Sequence, residues 1–166
     1  MMSQSSIVAE TANKLLAKGE SEMIKVEVST VINRPIEEVF AFVANFENHP
    51  KWEKNFQKVK LLTSTPTGVG TTYQCELKLP GQSATSKFVI TEYEANKKIA
   101  FEGETAGPAK PKGSFLFESV GGSTKITLLP RPEFRGLFRL LEPMMAGYIR
   151  KQNEQHLSNL KRLLET

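Results

Sequence analysis

Few side chains in this sequence have the chemistry to act on a ligand, and two of those stand one helical turn apart. Gln152 and His156 are separated by four positions, so on a helix they would present hydrogen-bonding groups to the same neighbour. An imidazole titrating at about 6.5 can serve as acid or base. No carboxylate nearby in sequence is placed to orient it. The simpler reading is that backbone or water satisfies both groups, as happens to most buried polar atoms. His49, beside Pro50, reads as an exposed cap residue rather than a ligand, because a metal site needs three or four donors. The single cysteine, Cys75, falls on the apolar face of an alternating segment and reads as an inert buried thiol. Neither a Gly-rich phosphate loop opening a helix nor a Gly-x-Ser-x-Gly elbow occurs. No metal site and no cofactor are therefore expected.

The elements that would hold these groups follow from hydrophobic periodicity. Residues 24–29, Ile-Lys-Val-Glu-Val-Ser, alternate as a half-buried strand does. Pro35 then suits a first helical turn, Glu37 and Glu38 suit its positive end, and Ile36, Val39, Phe40 and Val43 form one apolar stripe for a sheet to cover. Asn48-His49-Pro50 restarts a second, very short helix that runs through Trp52 to about Phe56. From residue 57 to residue 131 the period is two, and six strands are predicted between Gly, Pro, Ser and Asn clusters. Their inner faces are rich in aromatic residues. In the segment 86–94, Phe88 and Ile90 compete with Val89 and Tyr93 for the inner face, with the first pair favoured. Residues 103–113, with Pro108 and Pro111, read as an exposed loop unable to hold a ladder. Pro143 should kink or start the last helix, roughly residues 143–165. A helical wheel puts Leu141, Met145, Tyr148, Ile149, Gln152, His156, Leu160 and Leu163 on its broad inner face. Met144, Met145 and Tyr148 would make an adaptable wall.

The totals limit what these elements can build. A chain of 166 residues is one domain with one core. Its net charge of +4 comes from 22 basic residues interspersed with 18 acidic ones, with no basic run that would track a nucleic acid. One cysteine forms no internal disulfide, which suits a reducing cytoplasm. The first residues lack the pattern of a signal peptide, and no stretch reaches about 18 uncharged apolar residues, so stable membrane insertion is not expected. Residues 1–22 read as an extension, a short helix or a flexible tail built on Ile7, Val8, Ala12, Leu15 and Leu16. Residues 23–166 form the domain.

The order of parts resembles a known family. Val28 to Ile32, then Asn33-Arg34-Pro35-Ile36-Glu37-Glu38-Val39-Phe40-Ala41-Phe42-Val43, then His49-Pro50-Lys51-Trp52, are similar to the polyketide cyclase/dehydrase and lipid-transport superfamily, the START-like group that includes the birch-pollen-allergen fold. That resemblance implies an α+β helix-grip fold: a seven-stranded curved antiparallel sheet around a long C-terminal helix, with two short helices after the first strand. It also implies an internal cavity for a hydrophobic small molecule or lipid. Trp52, Tyr73, Phe88, Phe101, Phe115, Phe117, Tyr148, Gln152 and His156 are its candidate lining, together with Met145 from the helix wheel. Three functions remain open: a binding or transport module; a cyclase or dehydratase in which His156 moves a proton while Gln152 or Tyr148 steadies an oxyanion; and an interaction module, monomer or weak homodimer, docking through Phe134, Leu137, Phe138 and Leu140.

Overall fold

A computed structural model describes residues 25–166 except Thr65, Pro80, Thr105 and Ala106. The expectations for the N-terminal extension lie outside the described residues. The first strand, β1 (Val28–Ile32), leads to helix α1 (Ile36–Ala44), and a 3-10 helix (Phe46–Lys51) follows. Six strands then complete the main sheet: β2 (Phe56–Leu61), β3 (Thr72–Leu79), β4 (Gln82–Glu94), β5 (Lys98–Gly103), β7 (Lys112–Val120) and β8 (Ser123–Pro130). Its order is β1-β8-β7-β5-β4-β3-β2, antiparallel throughout. The final 3-10 turn (Gly136–Leu141) runs directly into α2 (Glu142–Glu165), with Pro143 in its first turn. A proline there gives up no needed donor, so it starts the helix rather than kinking it.

Several boundaries differ from the sequence pattern, each for a visible reason. β1 begins four residues after Ile24, because side chains already occupy the backbone just upstream of it. Arg131 Nη1 donates to the carbonyl of Val26 at 2.7 Å, and Arg150 Nη1 to that of Glu27 at 3.1 Å. The second short helix starts earlier than expected and stops before Trp52. Asn45 caps it by accepting from the amide of Glu47 at 3.1 Å. The Pro108–Pro111 region does hold a ladder, although a short one: β6 (Ala109–Lys110) pairs with β9 (Glu133–Phe134). Lys110 and Lys112 reach Glu102 at 3.0 and 3.3 Å, and Lys112 reaches Glu133 at 3.0 Å, tying this small sheet to β5 and β7. The two lysines hold the Glu102 carboxyl below its ordinary range.

The competition within β4 is resolved by a bulge. Ile90 pairs with Phe101 and Glu92 with Ala100, so Thr91 is the extra residue. Before the bulge Phe88 and Ile90 are buried; after it the parity reverses and Tyr93 turns toward the core. Two glycines permit close ring packing on the neighbouring strands. Phe88 lies opposite Gly103 and Phe101 opposite Gly113. A Cβ on Gly103 would stand 3.1 Å from the Phe88 ring, and one on Gly113 would stand 3.2 Å from Phe101. α1 buries Val39, Phe40, Val43 and Ala44, as its stripe requires.

Candidate ligand-binding interior

The interior is built by two aromatic groups. Three residues per turn in a 3-10 helix put positions i, i+3 and i+6 on one line, and Phe46, His49 and Trp52 occupy that line. Phe46 stacks on His49 at 4.2 Å between centroids, and His49 tilts against Trp52 at 4.9 Å. The sheet meets this row with Tyr73, stacked on Phe46 at 5.0 Å, and with Phe115, edge-on to Trp52 at 6.2 Å. Phe101 stacks on Phe115 at 5.5 Å, Phe88 follows at 5.9 Å from Phe101, and Phe56 closes the row between Phe88 and His49. Such pairs each add about 0.5–1.5 kcal/mol beyond area burial. The second group, Phe40 with Tyr93 and Phe117, lies under α1.

Five of the expected lining residues, Trp52, Tyr73, Phe88, Phe101 and Phe115, therefore share one cluster. Phe117 is buried but belongs to the other group. Met145 and Gln152 are half-buried, and His156 is buried. Tyr148 departs from the expectation: it is 57% exposed, so it does not line the interior. The buried stripe of α2 is Ile149, His156, Leu157 and Leu160, rotated away from Leu141, Tyr148 and Leu163. The Tyr73 hydroxyl is engaged by Thr67 and the backbone of Phe46, while burial pushes its pKa up.

His49 is the clearest correction. It is 1% exposed, not a surface cap. Its Nε2 lies 2.8 Å from the Val43 carbonyl, which can only accept, so Nε2 carries a hydrogen. Nδ1 then faces Glu53 Oε2 at 3.5 Å, and that contact is attractive only with a proton between the two atoms. Glu53, 7% exposed, is a buried carboxylate that the sequence pattern did not single out. The i,i+4 spacing from His49 was the available signal. The same carboxylate acts on two further groups. It adds to the burial that pushes the Cys75 thiol up to about 12, leaving it inert. It also partly offsets the burial that depresses the His156 pKa, a depression to which His49 and Lys54 add.

Next to these groups are two buried polar atoms with no partner, Trp52 Nε1 and Asn55 Oδ1. The backbone of Trp52 is held at the same corner, where Asn159 Nδ2 of α2 donates to its carbonyl at 3.2 Å. An unmatched buried donor costs about 1–3 kcal/mol, which a ligand oxygen placed against the indole would recover. Among the described residues no cluster of three or more His, Cys, Asp or Glu side chains could hold a metal.

Solved structures share this architecture. A START superfamily protein from Mycobacterium smegmatis superposes with a TM-score of 0.66 at 17% identity, covering 84% of this chain and 96% of that one. A Thermus thermophilus protein gives 0.68 at 17%, covering 84% and 95%. An aromatase/cyclase from a Streptomyces species gives 0.63 at 14%, covering 83% and 94%. At such identities the likeness speaks for the helix-grip fold alone. No curated protein is a significant sequence match. The model of the polyketide cyclase/dehydrase and lipid transport family matches residues 23–165, most of the chain. The chain belongs to that family.

Proposed function

We propose that the protein binds a hydrophobic small molecule or lipid between the sheet and α2, carrying or sequestering it in the cytoplasm. The observation that carries this reading is the orphaned Trp52 Nε1, buried beside His49 and Phe115. A binding site of this kind is mostly apolar with a few convergent polar groups. The indole N–H, the neutral imidazole of His156 and the His49–Glu53 pair supply those groups, and Phe88, Phe101 and Phe115 supply the apolar surface.

Trp52 is the only tryptophan in the chain, so its emission reports on this corner alone. Titration of the full chain with oleate and with a polycyclic phenol should shift or quench that emission saturably with at least one of them. Native mass spectrometry should show the corresponding added mass. An unchanged emission and a bare polypeptide mass with both probes would overturn the reading.

One observation favours a second reading, a cyclase- or dehydratase-like enzyme. The buried His49–Glu53 contact at 3.5 Å lies close enough to the neutral His156 for each of the two to influence its titration. A neutral imidazole can accept a proton from a bound substrate, and a protonated His49–Glu53 pair can return one to a departing hydroxyl, which leaves as water. Tyr148, exposed, has no part in this arrangement. If His156→Ala retains full turnover of a hydroxylated polyketide-like substrate, the enzymatic reading fails; the binding titration is unaffected by that outcome.

A further inference from the structure

We infer that the segment from Arg135 to Lys151 is a docking surface for an anionic lipid membrane. None of the six residues of the 3-10 turn Gly136–Leu141 is buried. Leu137, Leu140 and Met144 are 82%, 76% and 78% exposed, and Phe138, Leu141 and Tyr148 are open as well. The turn is apolar apart from Arg139, and exposed apolar side chains grouped in this way mark an interaction surface.

Charge decides between the possible occupants. The segment carries Arg135, Arg139, Arg150 and Lys151 against the single acid Glu142, a net positive face on which all four side chains are exposed, Arg150 while also donating to the carbonyl of Glu27. A twofold contact with a second copy would bring the same patch face to face, setting these cations against their own counterparts. An anionic headgroup layer complements the net positive charge of the face instead, while the leucines, Phe138 and Met144 enter the acyl boundary. Tyr148, with an apolar ring and a polar tip, suits the headgroup level. The contact is interfacial, since among the described residues no helix is long and apolar enough to cross a membrane. This inference does not rest on the proposed ligand, because a membrane can be bound with the interior empty.

The test is co-sedimentation of the full chain with phosphatidylcholine vesicles, with and without phosphatidylglycerol. Partitioning should favour the anionic vesicles by roughly tenfold or more and fall with added salt. The double substitution Leu137→Ser/Leu140→Ser should lower it by about tenfold or more at unchanged melting temperature, since both side chains are already in water. Arg135→Gln and Lys151→Gln should each lower it about fivefold. Equal partitioning to both vesicles, or binding indifferent to these substitutions, would overturn the inference. So would a concentration-dependent dimer that the double substitution abolishes, because the patch would then belong to a second copy.

Discussion

The two ends of α2 obey different rules. From Ile149 onward the helix is anchored: Ile149, His156, Leu157 and Leu160 are buried, β1 is its main neighbour in the sheet, and the backbone at its end is tied down. Arg34 Nε donates to the carbonyl of Leu164 at 2.8 Å, the amide of Asn33 donates to Glu165 at 2.8 Å, and Lys161 reaches the carbonyl of Val31. Between Glu142 and Tyr148 the same helix leaves Met144 and Tyr148 open to solvent, with Met145 and Ala146 only half-buried. Composition does not separate the two halves, since both are studded with Leu, Ile or Met. What separates them is whether the concave face of the sheet extends beneath. The anchored half holds the fold, and the open half is free to meet something else.

The largest expected effect comes from comparing a leucine of the anchored half with one in the 3-10 turn that leads into the open half. Leu160→Ala removes a fully buried side chain and should cost about 3 kcal/mol in chemical denaturation. Leu140→Ala removes one that is 76% exposed, and should stay within about 0.5 kcal/mol. Similar losses at both positions would mean that the open half is covered in the native protein, and the contrast drawn above would collapse.

A second contrast uses pH. His156 is the buried ionisable group of the anchored half, and desolvation lowers its pKa below the unfolded value, with Glu53 opposing and His49 and Lys54 reinforcing. The unfolded chain therefore binds the proton more readily. The stabilisation is fully present above about pH 6.5 and is lost as the pH falls through the depressed folded value. His156→Gln should flatten that slope in urea titrations run between neutral pH and about pH 5, above the range where carboxylates dominate. An unchanged slope would show that His156 is not the group being desolvated.

The fold was legible in the sequence to a greater depth than the site was. Period-two alternation fixed the inner faces of β3, β5, β7 and β8, because a buried face tolerates no slip of register. It failed within β4, where the bulge at Thr91 reverses parity and no single alternation can describe both halves. The aromatic cluster was half legible. The sheet's contribution, Tyr73, Phe88, Phe101 and Phe115, follows from parity, whereas the matching row of Phe46, His49 and Trp52 has a period of three, which a search at 3.6 or 2.0 does not register. His49 was misplaced for that reason, and Glu53 was not singled out at all. Tyr148 was misplaced differently. A wheel gives the angle of a residue around the helix, but it does not say whether a sheet lies under that turn.

The smallest effect tests the tether at the anchored end. The Arg34 guanidinium is half-buried and spends Nε on the carbonyl of Leu164, one of the last four carbonyls of α2 that no intrahelical amide can satisfy. Lysine keeps the charge but not the planar geometry that aims Nε at that oxygen. Arg34→Lys should therefore cost about 1 kcal/mol at most. The loss should be local, because the Ile149–Leu160 stripe does not depend on the tether. Amide exchange should accelerate in the final turn, near residues 161–165, while the amides from Ile149 to Leu160 keep their protection and those before Tyr148 keep their faster rates. If Arg34→Lys instead speeds exchange along the whole helix, the grip is set by its end rather than by its buried stripe, and the two halves of α2 are one cooperative unit.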